Sequence, residues 1–257
     1  LNFPLTAEEV ILMGRYPHFH IAPQKRDLDI VEEVMQRMNL SPFRNRNYLS
    51  LSGGERQRVQ FARVMAQVVY YAVAAELLAG PIDVCVPSGN FGNVFAGWIA
   101  QRMGAPIDHL IVASNANDIL TRFFNRNDMS AVPVVPSLSP SMDIQVSSNF
   151  ERLLFEMNGR DGAATASQLA GFRTSGALAV TAAQRAEFLD GTFESARLDD
   201  AETLEVMART YRESGMLLDP HTAVGMLGAE AYRRETKDHG PMVVLSTAPS
   251  FEAALRE

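Results

Sequence analysis

Apolar positions in the first third of the chain recur at helical spacing. In DLDIVEEVMQRMNL, residues 27–40, they fall at 30, 31, 34, 35, 38 and 40, the three-to-four step of one helix face. Upstream, TAEEVILMGRY reads as a short amphipathic helix, and Thr6 stands three residues before Glu9, the spacing of a capping box. HFHIAPQKRD between them reads as a loop. The polar, turn-rich SPFRNRNYLSLSGG leads into one long helix over 55–79, ERQRVQFARVMAQVVYYAVAAELLA, stopped by Gly80-Pro81.

After Pro81 the period changes. IDVCV is a short strand-like run, PSGNFGN a turn rich in Gly and Asn, and VFAGWIAQRMG a helix ended by Gly104. HLIVASN is a second β-branched run and ANDILTRFF a second helix. Strand, turn, helix, strand, helix is the βαβ grammar of a parallel sheet, so the fold class is α/β. Residues 126–148 carry Pro133, Pro136 and Pro140 and read as a long connection packed over a site. Residues 149–235 read as mainly helical with a polar break at 158–163, and GPMVVLSTAP as one more strand. No internal repeat or low-complexity tract interrupts this order.

Composition narrows the function. The 257 residues are 47% hydrophobic and 21% charged, enough for one large or two small domains and unlike a collagen-like or disordered chain. The net charge of −7 weighs against nucleic acid or an anionic membrane as partner. Cys85 stands alone, so no internal disulfide forms, which fits a reducing, cytoplasmic setting. No apolar run is expected to insert into a membrane. The chain opens on Leu1, which suggests a truncated start. Lys25 and Lys237 are the two lysines, so chemistry that needs a lysine has two candidates.

Two stretches carry candidate chemistry. Ser52 can cap the long helix, and Gly53 and Gly54 let backbone N–H groups approach an anion. Gly89 and Gly92 flank Asn90-Phe91 between a strand and a helix; such a turn forms an anion nest, with Ser88, Asn90 and Asn93 adding side-chain donors. Asp219-Pro220-His221 reads as a helix start, with Asp219 as cap and His221 in a packing role. His18 and His20 have no acidic or Cys partner at metal spacing, so no metal site is expected. Cys85 is expected to be buried and inert.

The string LSGGERQRVQFARVMAQ resembles the signature motif of ABC-transporter ATPases, and LTAEEVILMGRYPHF resembles their helical subdomain, most like the heme- and siderophore-importer type. The resemblance implies that Ser52, Gly53 and Gly54 reach the γ-phosphate of ATP. A phosphate-binding GxxxxGK[ST] loop is absent, Lys25 sits in PQKRD, and no Asp-Glu strand end follows the helix. This segment alone is therefore expected not to hydrolyse ATP.

From about residue 68 onward a second likeness takes over. MAQVVYYAVAAELL, IDVCVPSGNFGNVFAGWIAQRMGAPI, LIVASNANDILTRFF, SPSMDIQVSSNFERLLFE and LLDPHTAVG together resemble the threonine synthase family of pyridoxal-phosphate (PLP) enzymes. The resemblance implies part of the PLP fold-type II, tryptophan-synthase-β-like, parallel sheet. It implies a lyase that converts O-phosphohomoserine and water to threonine and phosphate. It assigns the cofactor phosphate to Ser88, Gly89, Asn90, Phe91, Gly92 and Asn93, and the pyridine nitrogen to Thr247. Ser141, Asp143 and Asn149 are candidates for the substrate cleft. The family's STAHP is here STAP, with Ala248 followed directly by Pro249. Its Schiff-base lysine lies in a half that has no counterpart here, and Lys237 reads as a solvated surface residue.

The chain thus reads as two pieces, an ATPase-like helical segment over 1–67 and a threonine-synthase-like portion over 68–257. The join is near 62–71, where ARVMAQ suits both families. Catalytic turnover by this chain alone is not expected.

Overall fold

A computed structural model of the chain describes residues 5–18 and 23–247. The first unit is helical. α1, Ala7–Leu12, is capped by Thr6, with the reciprocal Glu9 bond present. α2, Lys25–Arg37, starts two residues before the predicted helix. α3, Gly53–Leu78, is a single 26-residue helix that runs unbroken through residues 62–71. Its C-cap, Ala79, takes the left-handed conformation ahead of Gly80-Pro81.

Next come β1, Ile82–Pro87; α4, Gly92–Arg102; β2, Ile107–Ser114; and α5, Ile119–Arg126. The proline-bearing connection follows, with one 3-10 turn over Pro140–Met142. α6, Phe150–Met157, α7, Gly162–Ser175, and α8, Ala182–Phe188, lead to β3, Phe193–Arg197. α9, Asp200–Ser214, α10, Pro220–Thr236, and β4, Met242–Val244, complete the described chain. β3 corrects the mainly helical reading of 149–235. FESAR is short and charged, and only Phe193 is fully buried, so a strand at the sheet edge left little apolar signal.

The four strands are all parallel, in the order β3-β2-β1-β4. Both faces of the sheet are covered, which is why every residue of β1 is buried, without alternation. Ile82, Val84, Val86, Leu110 and Val112 face α3, α4 and α5. Cys85, Ile111 and Ala113 face α10. Gly228 sets that second contact, because a Cβ there would lie 2.7 Å from Ala113 Cβ and 3.1 Å from Cys85 Sγ.

α3 serves two cores. Val59, Ala62 and Ala66 join Ile11, Val31, Met35 and Leu40 in the N-terminal cluster. Val64, Val68, Tyr71 and Ala75 join the sheet cluster. α3 is also long and apolar enough to cross a membrane by length and composition, contrary to the sequence expectation, and 44% of its apolar window is buried inside the molecule.

Candidate functional site

In a parallel α/β sheet, ligands bind beyond the carboxyl ends of the strands. β1 ends at Pro87 and hands the chain to the turn 88–91, which opens α4. The turn is fastened from within. Ser88 Oγ accepts from Phe91 N at 3.0 Å, so that hydroxyl braces the loop. Asn90 Oδ1 accepts from Ser148 N at 2.7 Å and from Ser148 Oγ at 2.8 Å. Asn149 Nδ2 donates to Asn90 O at 3.0 Å. Ser88 and Asn90 therefore shape the turn with the side chains expected to reach a ligand.

Phe91 holds the left-handed conformation, φ 64°, a costly one for a residue with a side chain. Its ring is fully buried and meets Phe150 at 5.4 Å, Phe124 at 5.9 Å and Phe193 at 6.0 Å between centroids. α4 opens from Phe91 without a side-chain cap, so its first N–H groups suit an anion. Gly89 is required because a Cβ would lie 2.9 Å from Met142 Cα and O. The turn and the segment at 141–142 thus touch backbone to backbone.

The turn borders a cleft of about 280 Å³. Ser88, Gly89, Asn90, Phe91, Gly92 and Asn93 all line it, as do Ser141, Asn149 and Thr247. Asp143 is absent from this lining. Its Oδ1 accepts from Asn115 and Asn117 Nδ2, both at 2.8 Å, and from Ser137 Oγ at 2.6 Å, while Oδ2 accepts from Ser137 N at 3.0 Å. Asp143, expected at the substrate cleft, instead spends its carboxylate on tying the proline-bearing connection to the end of β2, two residues from Ser141.

The opposite wall comes from α3, through Gln60, Arg63, Val64 and Gln67. Sequence reading missed these residues, because polar positions on a helix look like a solvated face. Their spacing of three, one and three residues was the available signal. Gln67 is 6% exposed, and its Oε1 has no hydrogen-bond partner. Asn93 Oδ1 is likewise buried and unpartnered. Buried amide oxygens without partners in a polar cleft fit a ligand that supplies them. Among the described lining residues Arg63 is the one that carries a charge. Tyr71 Oη, also on α3, donates to Asn93 O at 2.6 Å; burial pushes its phenol well up, so it stays a neutral donor.

Asp219 caps α10 as expected, accepting at Oδ1 from His221 N at 2.9 Å and Thr222 N at 3.1 Å. Burial pushes its carboxyl up, but bonds from His221 and Thr222 outweigh this and hold it below its ordinary range. His221 does more than pack, since Nε2 contacts Ser141 Oγ at the cleft.

No lysine lines the cleft. Lys25 is exposed at the start of α2. Exposed Lys237 donates to Arg234 O at 2.7 Å. Cys85 is fully buried, and burial pushes its thiol up, as an inert residue requires. His20 and the His18 side chain lie outside the described residues, as do Ala248 and Pro249.

Ser52, Gly53 and Gly54 are exposed at the start of α3. Ser52 N donates to Glu55 Oε2 at 2.7 Å and Ser52 Oγ accepts from Glu55 N at 3.4 Å. A capping box thus satisfies this helix start, and the Ser52 bonds hold Glu55 below the usual carboxylate range. At the opposite end of the sheet, Asp83, His109 and Asp238 bring ligand-type atoms within 4.8 Å of one another. Asp83 Oδ1 and Tyr232 Oη already engage His109 Nδ1, at 2.9 and 3.0 Å, so the group closes on itself as a polar plug.

No protein-family model matches the chain. The threonine synthase of Pseudomonas aeruginosa is 50% identical over 193 residues, 74% of this chain and 40% of that protein. The structure of PLP-bound threonine synthase from Brucella melitensis superposes with a TM-score of 0.68 at 36% identity, over 86% of this chain and 47% of that one. Yeast threonine synthase superposes with a TM-score of 0.68 at 29% identity, over 91% of this chain and 49% of that one. Both shares exceed residues 68–257 alone, so the structural likeness reaches into the region before residue 68. The chain spans less than half the length of these relatives. Threonine synthase homologues thus cover much of this chain, and its parallel α/β sheet is that of the PLP fold-type II enzymes.

Proposed function

We propose that the chain supplies the cofactor-phosphate half of a threonine synthase-like, PLP-dependent lyase acting on O-phosphohomoserine. The observation that carries this reading is the convergence on one cleft of an uncapped helix start and a strained Phe91 turn, with the positive charge of Arg63 on the facing wall. The residues fit the cofactor's phosphate. The backbone of Gly89, Gly92 and Asn93 would hold it, Ser88 and Asn90 keep the turn in shape, and Arg63 adds positive charge across the cleft. Thr247, three residues beyond β4, would offer a neutral hydroxyl to the ring nitrogen. PLP, when bound, supplies an electron sink for bond cleavage beside the amino group.

No lysine lines the cleft to hold the cofactor covalently, so this chain alone is expected to bind without turnover. Titrating PLP while following its visible absorbance tests the cradle, which predicts saturable binding weakened at least about tenfold by Gly89→Ala. Unchanged binding in that variant would refute it. Release of phosphate from O-phosphohomoserine by the purified chain would overturn the inactivity.

The ABC-like reading of residues 1–67 remains a proposal about the origin of that segment, with residues 68–257 as the threonine-synthase-like portion. Its capping-boxed SGG start needs no ligand, so we assign it no role in binding or hydrolysing ATP. The single thiol and the acidic balance favour a cytoplasmic, small-molecule role over nucleic acid or membrane partners.

A further inference from the structure

Ser141 and His221 are 80 residues apart in sequence and meet at the cleft wall, with Ser141 Oγ against His221 Nε2. On the other side of the ring, Nδ1 lies 3.3 Å from Asp219 Oδ1. The approach is off the hydrogen-bond line, so Nδ1 counts as unsatisfied on strict geometry, yet a carboxylate oxygen is the atom it faces. Asp219 also accepts from two backbone N–H groups at Oδ1 and from Thr222 Oγ1 at Oδ2. These donors keep it ionised, and an ionised carboxylate can only accept.

The tautomer follows. Nδ1 carries the proton of the neutral ring, so Nε2 presents a lone pair and Ser141 must donate to it. The hydroxyl hydrogen is then engaged, and Oγ offers the cleft only lone pairs. Two other parts of the wall have the opposite character: the 11-residue α4 opens uncapped, and Arg63 brings a positive charge. Gln67, 6% exposed, adds an unpartnered oxygen that is a further acceptor at the cleft. An anion seated there would meet N–H groups on one side and serine lone pairs on the other.

One proton removes the conflict. With Nε2 protonated, the ring donates to Ser141 Oγ, and the hydroxyl hydrogen turns into the cleft. We propose that an oxyanion of the phosphate-monoester class binds this cleft with uptake of one proton, which settles on His221 and converts Ser141 from acceptor to donor. The proposal rests on reading the cleft as an anion cradle. Among the described residues, Asp219 is the charged group that faces the ring from its own helix start. Ser141 reaches it from the 140–142 turn. Beyond β4, Ser246 Oγ lies 3.1 Å from Thr222 Oγ1. Arg63 on α3 is the charge across the cleft.

Inorganic sulfate is the clean probe, because it stays a dianion throughout the neutral range. Calorimetric titration in two buffers of different ionisation heat reads the protons taken up. At mildly alkaline pH the native chain should take up about one proton per sulfate, and affinity should fall up to about tenfold for each pH unit gained. His221→Gln places a permanent amide donor against Ser141, so it should bind sulfate with no proton uptake and a flat pH profile. Ser141→Ala should lose the linkage and bind more weakly. Sulfate binding to the native chain without proton uptake would overturn the relay and leave the cradle standing. Undiminished uptake in His221→Gln would also overturn it. Failure of the native chain to bind sulfate would overturn the cradle and the relay together.

Discussion

The two cores that share α3 are built from different materials. The N-terminal core is small and aliphatic, formed by Ile11, Val31, Met35, Leu40, Val59 and their neighbours. It is pinned by a buried ion pair: Arg15 donates to Asp27 Oδ1 through Nε at 3.0 Å and Nη2 at 2.9 Å, and its guanidinium lies 5.0 Å from the Tyr70 ring centroid. The sheet core is large and aromatic, with Phe91, Phe95, Trp98, Phe123, Phe124 and Phe150. The first is secured by a polar clamp, the second by ring area. The cleft lies where they share a helix, so the turn that suits an anion belongs to the sheet unit, whereas Arg63 and Gln67 neighbour Ala62 and Ala66, the α3 residues that support the N-terminal unit. The site therefore depends on the docking of both.

Substitutions in each core separate the two contributions. Phe123→Ala empties the centre of the aromatic cluster, where Phe123 and Phe150 centroids lie 4.7 Å apart. It should cost about 3–5 kcal/mol in urea unfolding and weaken both cores in one transition. If the N-terminal helices melt separately, the cores are independent. Asp27→Leu leaves Arg15 buried without its carboxylate and should cost about 3 kcal/mol, whereas Arg15→Met with Asp27→Leu should recover most of that loss. A double variant as unstable as the single would mean that the pair's geometry, not charge burial, holds the clamp.

Gly89→Ala acts on the cleft through the Met142 backbone, which the added Cβ would displace. It should cut sulfate affinity about tenfold or more, near 1.4 kcal/mol, and lower the unfolding midpoint as well. Sulfate affinity unchanged in a folded variant would remove Gly89 from the cradle. The smallest expected effect is on the α10 cap. Asp219→Ala should cost about 1 kcal/mol at neutral pH. Because the folded carboxyl titrates below its ordinary range, that contribution is present above the unfolded value of about 3.9 and is lost as pH falls below it. Native and variant stabilities should therefore converge in acid, and a gap that widened there would reverse the sign.

Local grammar made much of this legible. The capping box at Thr6, the cap at Ser52, the βαβ order and the Gly-Asn turn are all encoded within a few residues of where they act. What escaped detection is assembled at long range. Asp143 sits in a family-like string beside the cleft but is committed to Asn115, Asn117 and Ser137. The Gln60, Arg63 and Gln67 wall becomes a wall only when the 88–91 turn packs opposite it. β3 was hidden because an edge strand with one fully buried residue need not look apolar. The membrane-length stretch in α3 arose because two cores draw on one helix, so that after Arg63 it is apolar except at Gln67 and Glu76.

Phe91 carries one more consequence. Its left-handed backbone is unfavourable by about 1–2 kcal/mol, and the rings around it hold the chain there. The N–H groups that follow are therefore aimed before any ligand arrives, so association loses little conformational freedom at the turn. Phe91→Gly would relieve the backbone and release the anchor together. The turn would then sample many shapes, and the anion site would give up affinity in entropy rather than in contacts.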